Sequence, residues 1–517
     1  MNGAHLRRLV VNISYEKAGE KPRRMAASDV TQKEPFLTGF SKHLCGSAKR
    51  SKQRSIQLFR KKALRDSTSS FARLFENVLP AAWLAGIDPT RRVRDFPLIL
   101  VFWAWFGQII EGNASCSKAL SMIQSWSVAA GLTGPKGGTG GYCQARMRLP
   151  DDFLARIDTR IMGSLNDGTR TDDLWHGLIV KAFDGTSVQL DDTEANQKIY
   201  PQPSGQKPGC GFPVMDVVAL VNLSNGGWEG HVTGSNLHDV RGAQGLIGFI
   251  GEGDIALGDR AFCSYECIAR IRANGGHSAM RLHQARHAKL DWRRGRRLGP
   301  LERLVQWGKP AAQPKTSDLS EAQWAALPET MTVRYVKIGY EDRAGEKRMI
   351  VVVTTLLDPV AYPAEDILML YVKRWDIELR FRDIKTTMGM EIFHVKSPEM
   401  AHKTLRMMAI AYNLMRTMMQ KAAAEAGKPL AEMSFKGCLD TVTSSQIIFA
   451  GPWWHVTKYK KMVAEVVLIC AGKLIDIRPF RQEPRALKRR PKPFPLLTSP
   501  RHVFRENPHK GAKRRAA

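Results

Sequence analysis

Residues 363–388 read PAEDILMLYVKRWDIELRFRDIKTTM, and the two stripes laid out by this stretch constrain the rest of the chain. At about 100° per residue on a helical wheel, Arg374 falls about 40° from Glu378, and Tyr371 and Lys385 fall within about 20° of it. A carboxylate, a guanidinium, an ammonium and a phenol therefore share one face. Leu370, Ile377, Phe381, Ile384 and Met388 form a second stripe about a quarter-turn away, the pattern of a helix packed on a sheet. Pro363 suits the first helical position, Glu365 and Asp366 the first turn, and Gly389 a stop. Taken alone, the polar face reads as a solvated surface with i,i+4 ion pairs.

The segments on either side supply the sheet. Leu178–Phe183 (LIVKAF) predicts a short strand ending at Asp184-Gly185-Thr186, and Val214–Leu223 (VMDVVALVNL) predicts a second. Ser224-Asn225-Gly226-Gly227 is a hairpin turn leading into a third strand, Trp228–Thr233. A helix near Val240–Ile250 and a strand over Asp254–Leu257 follow, the strand running into Gly258-Asp259-Arg260. A helix at Tyr265–Ala273 and a strand at His277–Arg281 complete the series. Residues 282–347 break the alternation with RRGRR (Arg293–Arg297), Trp292, Trp307, Trp324 and β-type segments such as Thr332–Tyr340, which predicts a β-rich insertion. Arg348–Thr355 (RMIVVVTT) returns to core-strand texture and leads into the opening helix. The fold class expected is α/β, a mixed-sheet core with a β-rich insertion, preceded by an all-α N-terminal domain.

Composition sets the partners. The 517 residues carry 78 Lys and Arg against 49 Asp and Glu, a formal charge of +29. Residues 1–66 hold 16 basic against 5 acidic groups and residues 478–517 hold 13 against 2, so the two ends supply 22 of the 29 charges. Basic arms on a near-balanced body point to a polyanion, most directly nucleic acid. No apolar run approaches the roughly 20 residues that span a bilayer, and the basic N-terminus lacks an apolar signal core, so neither membrane insertion nor export is expected. The location expected is cytoplasmic and nucleoid-associated. Eight scattered cysteines read as reduced thiols. The domain boundaries expected are a basic arm at 1–66, an α-helical domain at 67–170 and an α/β domain at 171–425 interrupted by 282–347. A helical or mixed region at 426–477 and a basic, Pro-rich tail at 478–517 complete the chain.

The chemistry rests on three acids. Asp184 and Asp259 each end a predicted apolar strand, where α/β folds place functional groups, and Glu378 lies on the helix after a later strand. Three such carboxylates can hold two divalent cations about 3.5–4 Å apart, the arrangement for in-line displacement at phosphorus. Hard oxygen ligands favour Mg²⁺, with Mn²⁺ a ready substitute. Arg374, Lys385 and Tyr371 would grip neighbouring phosphates. Singly, each aspartate reads as a turn or cap, and Asp191, Asp192, Asp216 and Asp254 compete with them.

The pattern Tyr371-x2-Arg374-x3-Glu378-x6-Lys385 resembles the Y-R-E-K signature of the insertion-sequence-4 family of DDE transposases, with no departure. Asp184 in FDGTSV resembles the family's first catalytic Asp, and Asp259 in GDRAF its second. The likeness continues through YPQPSGQKPGCGFPVMDVV, RRGRRLGP, VTTLLDP and EPRALKRRPKPFPLL, covering roughly residues 70–505. It implies a ribonuclease-H-like core interrupted between the second Asp and the Glu. It further implies a homodimer that pairs two transposon ends, cleaves them with Mg²⁺ and joins their 3′-hydroxyls to target DNA. In such relatives a tryptophan of the insertion stacks on a flipped base, so Trp307, Trp292 and Trp324 are candidates. N-terminal helices would read the terminal inverted repeats. Two rivals stay open: a catalytically silent DNA-binding derivative, and a structure-specific nuclease on the same core.

Overall fold

Strand β1 (Ile179–Leu190) is buried on both faces over Val180–Phe183, and the architecture follows from that. Val180, Ala182, Val188 and Leu190 enter one hydrophobic core, while Phe183 enters a second on the opposite face. Strand β2 (Val214–Asn222) divides in the same way, with Met215, Val217, Ala219 and Val221 on one side and Val218 and Leu220 on the other. A strand buried on both faces needs a near-continuous apolar run, which LIVKAF and VMDVVALVNL provide. Each fully buried Val, Leu or Ile contributes roughly 1.5–3 kcal/mol of transfer energy.

The computed structural model describes residues 70–89, 95–129, 133–341, 347–449, 456–476, 496–500 and 502–503. The basic arm expected at 1–66, and most of the tail expected at 478–517, lie outside those residues. The remaining strands are β3 (Trp228–Gly234), β4 (Asp254–Gly258), β5 (His277–Arg281), β6 (Arg296–Gly299), β7 (Glu302–Gly308), β8 (Thr330–Glu341), β9 (Lys347–Thr354) and β10 (Ile392–Phe393). They form one mixed sheet in the order β3-β2-β1-β4-β5-β9-β8-β7-β6, with β10 pairing on β1. β1, β2 and β3 are antiparallel, β4 and β5 run parallel to β1, and β9 returns antiparallel on β5. The β-rich segment is thus continuous with the main sheet, because β8 pairs along β9 from Arg334↔Thr354 to Glu341↔Lys347.

Helices cover both faces. Ala364–Lys373, Asp376–Arg382 and Pro398–Ala426 lie on the first core through Ile367, Leu370, Ile377, Phe381 and Leu405. Asp239–Gln244 and Tyr265–Ala273 lie on the second, through Ala243 and Ile268. The 29-residue Pro398–Ala426 helix starts where Ser397 accepts the Met400 N–H and ends at Gly427, whose φ of 58° suits a residue without a Cβ. Between residues 70 and 167 the described elements are helices, among them Leu98–Ile110, every residue of which is buried. These helices build no core of their own: Phe102, Trp105 and Ile157 belong to the same cluster as Met408 and Met415. Among the described residues, no helix is long and apolar enough to cross a membrane.

Two expectations need correction. The strand predicted to stop at Phe183 continues to Leu190, carrying Asp184, Gly185 and Thr186 inside it. The partner on one side sustains it, because β2 pairs continuously from Lys181↔Asn222 to Gln189↔Val214. The helix predicted over 363–388 is three segments: Ala364–Lys373, Asp376–Arg382 and a π-helical turn, Asp383–Thr387. At the first joint the backbone bonds tighten to i→i−3, as in Arg374 N–H to Tyr371 O, Ile377 N–H to Arg374 O and Glu378 N–H to Trp375 O. A turn of that kind advances about 120° per residue instead of about 100°.

Candidate active site

Strand register brings the two aspartates together. β1 and β4 are parallel, and their last paired rung is Ala182↔Leu257. Asp184 lies two residues further along β1 and Asp259 immediately past the end of β4, and the Asp259 charge acts on Asp184. β4 stops at Gly258, whereas β1 continues and takes β10 as its partner only at Gln189↔Ile392. Among the described strands, β1 therefore has no partner on that side from residue 183 to residue 188, and the carboxylates stand at this notch.

Asp184 Oδ1 accepts the Gly185 N–H at 2.9 Å, and Asp259 Oδ1 accepts the Ala261 N–H at 2.7 Å. Burial pushes the Asp184 carboxyl up to about 6; the Gly185 N–H and the Arg374 guanidinium pull it down, and Asp259 and Asp239 push it further up. A carboxylate held back from ionising by burial, and further by neighbouring carboxylates, is a natural host for a cation. The donors are hard oxygens of the kind a hard divalent cation takes, with each hydrogen-bonded carboxylate keeping a second oxygen.

The neighbouring helix contributes two more groups. Tyr371 and Arg374 are 5% and 8% exposed. The Arg374 guanidinium lies 5.9 Å from the Tyr371 ring centre and 4.6 Å from that of Trp375, and its Nε has no hydrogen-bond partner. Burial raises the Tyr371 phenol, while Arg374 and Arg281 lower it and Asp259 raises it, which sets Tyr371 beside the same aspartate.

The other half of the signature goes elsewhere. Glu378 is exposed on the first turn of Asp376–Arg382. Lys385 sits in the π-helical turn, where burial lowers its ammonium and the charge acting on it is Glu391. The tightened joint between the two helices breaks the uniform pitch that would set Glu378 about 40° from Arg374, and the two differ in exposure, Arg374 buried and Glu378 exposed. Consistent with this, no group of three His, Cys, Asp or Glu among the described residues has a metal-holding arrangement. Asp184, Asp259, Tyr371 and Arg374 come together; Glu378 and Lys385 do not join them in this conformation.

The competing aspartates are otherwise engaged. Asp254 lies 3.0 Å from Lys181 Nζ, Asp216 accepts the Leu237 N–H, Asp191 meets His394 at 3.0 Å, and Asp192 accepts from Gln197. Sequence reasoning missed two residues. Asp239 belongs to the electrostatic neighbourhood of Asp184 and Asp259, although in sequence it is an ordinary acid in a helix's first turn. Trp375 is 54% exposed in the middle of the signature, and only its exposure distinguishes it from a core tryptophan.

The three insertion tryptophans separate clearly. Trp307 is 2% exposed and donates its indole N–H to the Tyr335 hydroxyl at 2.7 Å. Trp324 is buried in the Glu321–Ala325 helix. Trp292 is half-buried, with Arg303 and Lys337 over its ring at 5.7 and 5.2 Å. It lines a cavity of about 940 Å³ together with Arg286, Lys289, Arg294, Arg296 and Arg303.

Residues 175–414 match a family model described as a transposase DDE domain. Over 413 residues the chain is 24% identical to the transposase InsG for insertion sequence element IS4 of Escherichia coli (strain K12), covering 78% of this chain and 88% of that protein. A solved structure of the piggyBac transposase synaptic complex with hairpin DNA aligns over 78% of this chain and 82% of its own at 9% identity. The TM-score of that alignment is 0.39. The matched domain spans β1 through most of the Pro398–Ala426 helix and includes every signature residue. Together the domain match and the IS4 relative support reading the chain as a DDE transposase of the insertion-sequence-4 type.

Proposed function

We propose that the chain cleaves the ends of its insertion sequence and joins the freed 3′-hydroxyls to target DNA, with Asp184, Asp259 and Glu378 holding divalent cations. The observation that carries this reading is the register-matched pair Asp184 and Asp259 at the sheet notch, with Tyr371 and the buried Arg374 guanidinium beside it. Divalent cations, Mg²⁺ or Mn²⁺, would supply Lewis-acid activation of the attacking oxygen and charge neutralisation at the leaving oxygen. The protein's share is placement. Arg374, with an unsatisfied Nε, is poised for a phosphate oxygen, since a guanidinium presents paired donors to an anion. Tyr371 positions that guanidinium through its ring and hydroxyl.

Glu378 must turn inward to complete the set. Rewinding the i→i−3 joint to α-helical bonds would bring it back to within about 40° of Arg374, and DNA binding is the event that would favour this. Lys385 would move with the same segment and contact the flanking backbone. The order of β1 to β5, antiparallel then parallel, supports a ribonuclease-H-like core. The helices of 67–170 would read the terminal repeats, the cavity at Trp292 would receive a displaced base or phosphate, and the basic stretches 1–66 and 478–517 would add non-specific phosphate contacts. A homodimer would pair the two ends in the cytoplasm.

The test uses end DNA with Mg²⁺. Asp184→Asn, Asp259→Asn and Glu378→Gln should each reduce cleavage and joining by at least 10³-fold or so while end binding stays within a few-fold. Robust cleavage by any of the three removes that residue from the set. A wild-type chain that binds ends but never cleaves would leave the silent derivative standing, and one that cleaves but never joins would favour the nuclease.

A further inference from the structure

The helix Asp239–Gln244 sits on the opposite face of the sheet from Arg374 and places its first residue under β1. A Cβ built on Gly185 would lie 2.5 Å from Asp239 Oδ1, so the carboxylate occupies the space that a side chain at 185 would take. Gly185 lies in the stretch of β1 that lacks a strand partner on the β4 side. Three carboxylates therefore surround one notch: Asp184, Asp259 and Asp239. The Asp239 carboxyl is raised by burial and by Asp259, with Asp216 adding to the rise and His238 opposing it. An acidic cluster alone would be a weak indication. Arg374 adds a second: its guanidinium acts on Asp184, the residue is 8% exposed, and its Nε is unpartnered. A buried donor left open beside a crowd of acceptors is the arrangement expected where a cation and its anionic ligand are still to come.

We propose that Asp239 is a positioning residue of the cation site, an outer carboxylate that strengthens divalent-cation binding at Asp184 and Asp259 from behind the sheet, and that Gly185 is glycine to let it approach. This rests on the reading of Asp184 and Asp259 as the cation-binding pair. Asp239 touches neither the scissile phosphate nor the cation directly; it adds negative potential and orients water in the notch. Outer partners of this kind typically change metal affinity by 10–100-fold.

The experiment is Mn²⁺ binding to the full-length chain without DNA, followed by loss of the free-ion EPR signal. Asp239→Asn should weaken Mn²⁺ binding by about tenfold or more, and Asp239→Glu should recover most of it. Gly185→Ala, whose methyl group would displace the Asp239 carboxylate, should weaken binding similarly, and it should add nothing further in an Asp239→Ala background. Melting in EDTA should show Asp239→Asn no less stable than the wild type, which a purely structural acid would not allow. Wild-type Mn²⁺ affinity in Asp239→Asn, alongside lost affinity in Asp184→Asn, overturns the proposal and leaves the cation pair intact. Wild-type affinity in Asp184→Asn and Asp259→Asn as well overturns both.

Discussion

Asp184→Asn should make the metal-free protein more stable at neutral pH while abolishing its chemistry. In the folded chain the Asp184 carboxyl is raised from its ordinary 3.8 to about 6 by burial and by Asp259 and Asp239. Because the folded state prefers the protonated acid, this stabilising preference is fully present below about pH 4 and is lost as the pH rises through about 6. Above that the ionised carboxylate is a fixed cost. At about 1.36 kcal/mol per tenfold change in proton affinity the upper bound is near 3 kcal/mol, and solvent screening of this half-buried group reduces it to about 1–2 kcal/mol. The amide keeps the shape and the acceptor for the Gly185 N–H without carrying charge. For a unit of this size the gain corresponds to a rise in Tm on the order of 1–3 °C in EDTA at pH 7.5, shrinking towards zero at pH 4.5. Thermal melting by fluorescence across that pH range is the assay, repeated with Mg²⁺. The cation should raise the wild-type Tm and leave the variant nearly unmoved, so that the order of stabilities narrows or inverts. A variant that melts lower than wild type in EDTA at both pH values, or that Mg²⁺ stabilises as much as wild type, would refute the account of Asp184 as a carboxylate held under strain for a cation.

Arg374→Lys keeps a positive charge but loses the guanidinium's contact over the Trp375 ring and its fork geometry, so cleavage of end DNA should fall about 100-fold with end affinity changed less than about threefold. An unchanged single-turnover rate would return this guanidinium to a packing role. In the insertion, Trp307→Ala should cost about 3–5 kcal/mol in urea unfolding, since it empties a buried site and strands the Tyr335 hydroxyl. Trp292→Ala should leave stability within about 1 kcal/mol and instead alter fluorescence from a 2-aminopurine placed near the cleaved end. Equal destabilisation by the two substitutions would show that Trp292 is as much a core residue as Trp307.

The sequence by itself determined the local elements and the chemical inventory. Alternation and apolar runs placed β2, β5 and the Tyr265–Ala273 helix with their bounds nearly right, because period and turn residues are properties of a few neighbours. The spacing of Tyr371, Arg374, Glu378 and Lys385, and the two aspartate contexts, pointed to the insertion-sequence-4 type of DDE transposase for the same reason. Tertiary structure decided what depends on distant partners. β1 runs past Asp184 because β2 holds it there, and nothing within LIVKAF records where a strand some thirty residues later will stop. Asp239 meets Asp184 and Asp259 only through the packing of a short helix on Gly185, a contact that an isolated His-Asp pair in sequence cannot report. The wheel assumed one uniform pitch, yet i→i−3 bonds at 374–378 and the π-helical turn after Arg382 repartition its face, leaving Arg374 buried and Glu378 exposed. Likewise three tryptophans equal in composition became one half-exposed ring and two buried ones, since burial follows from the strands and helices that close over a side chain.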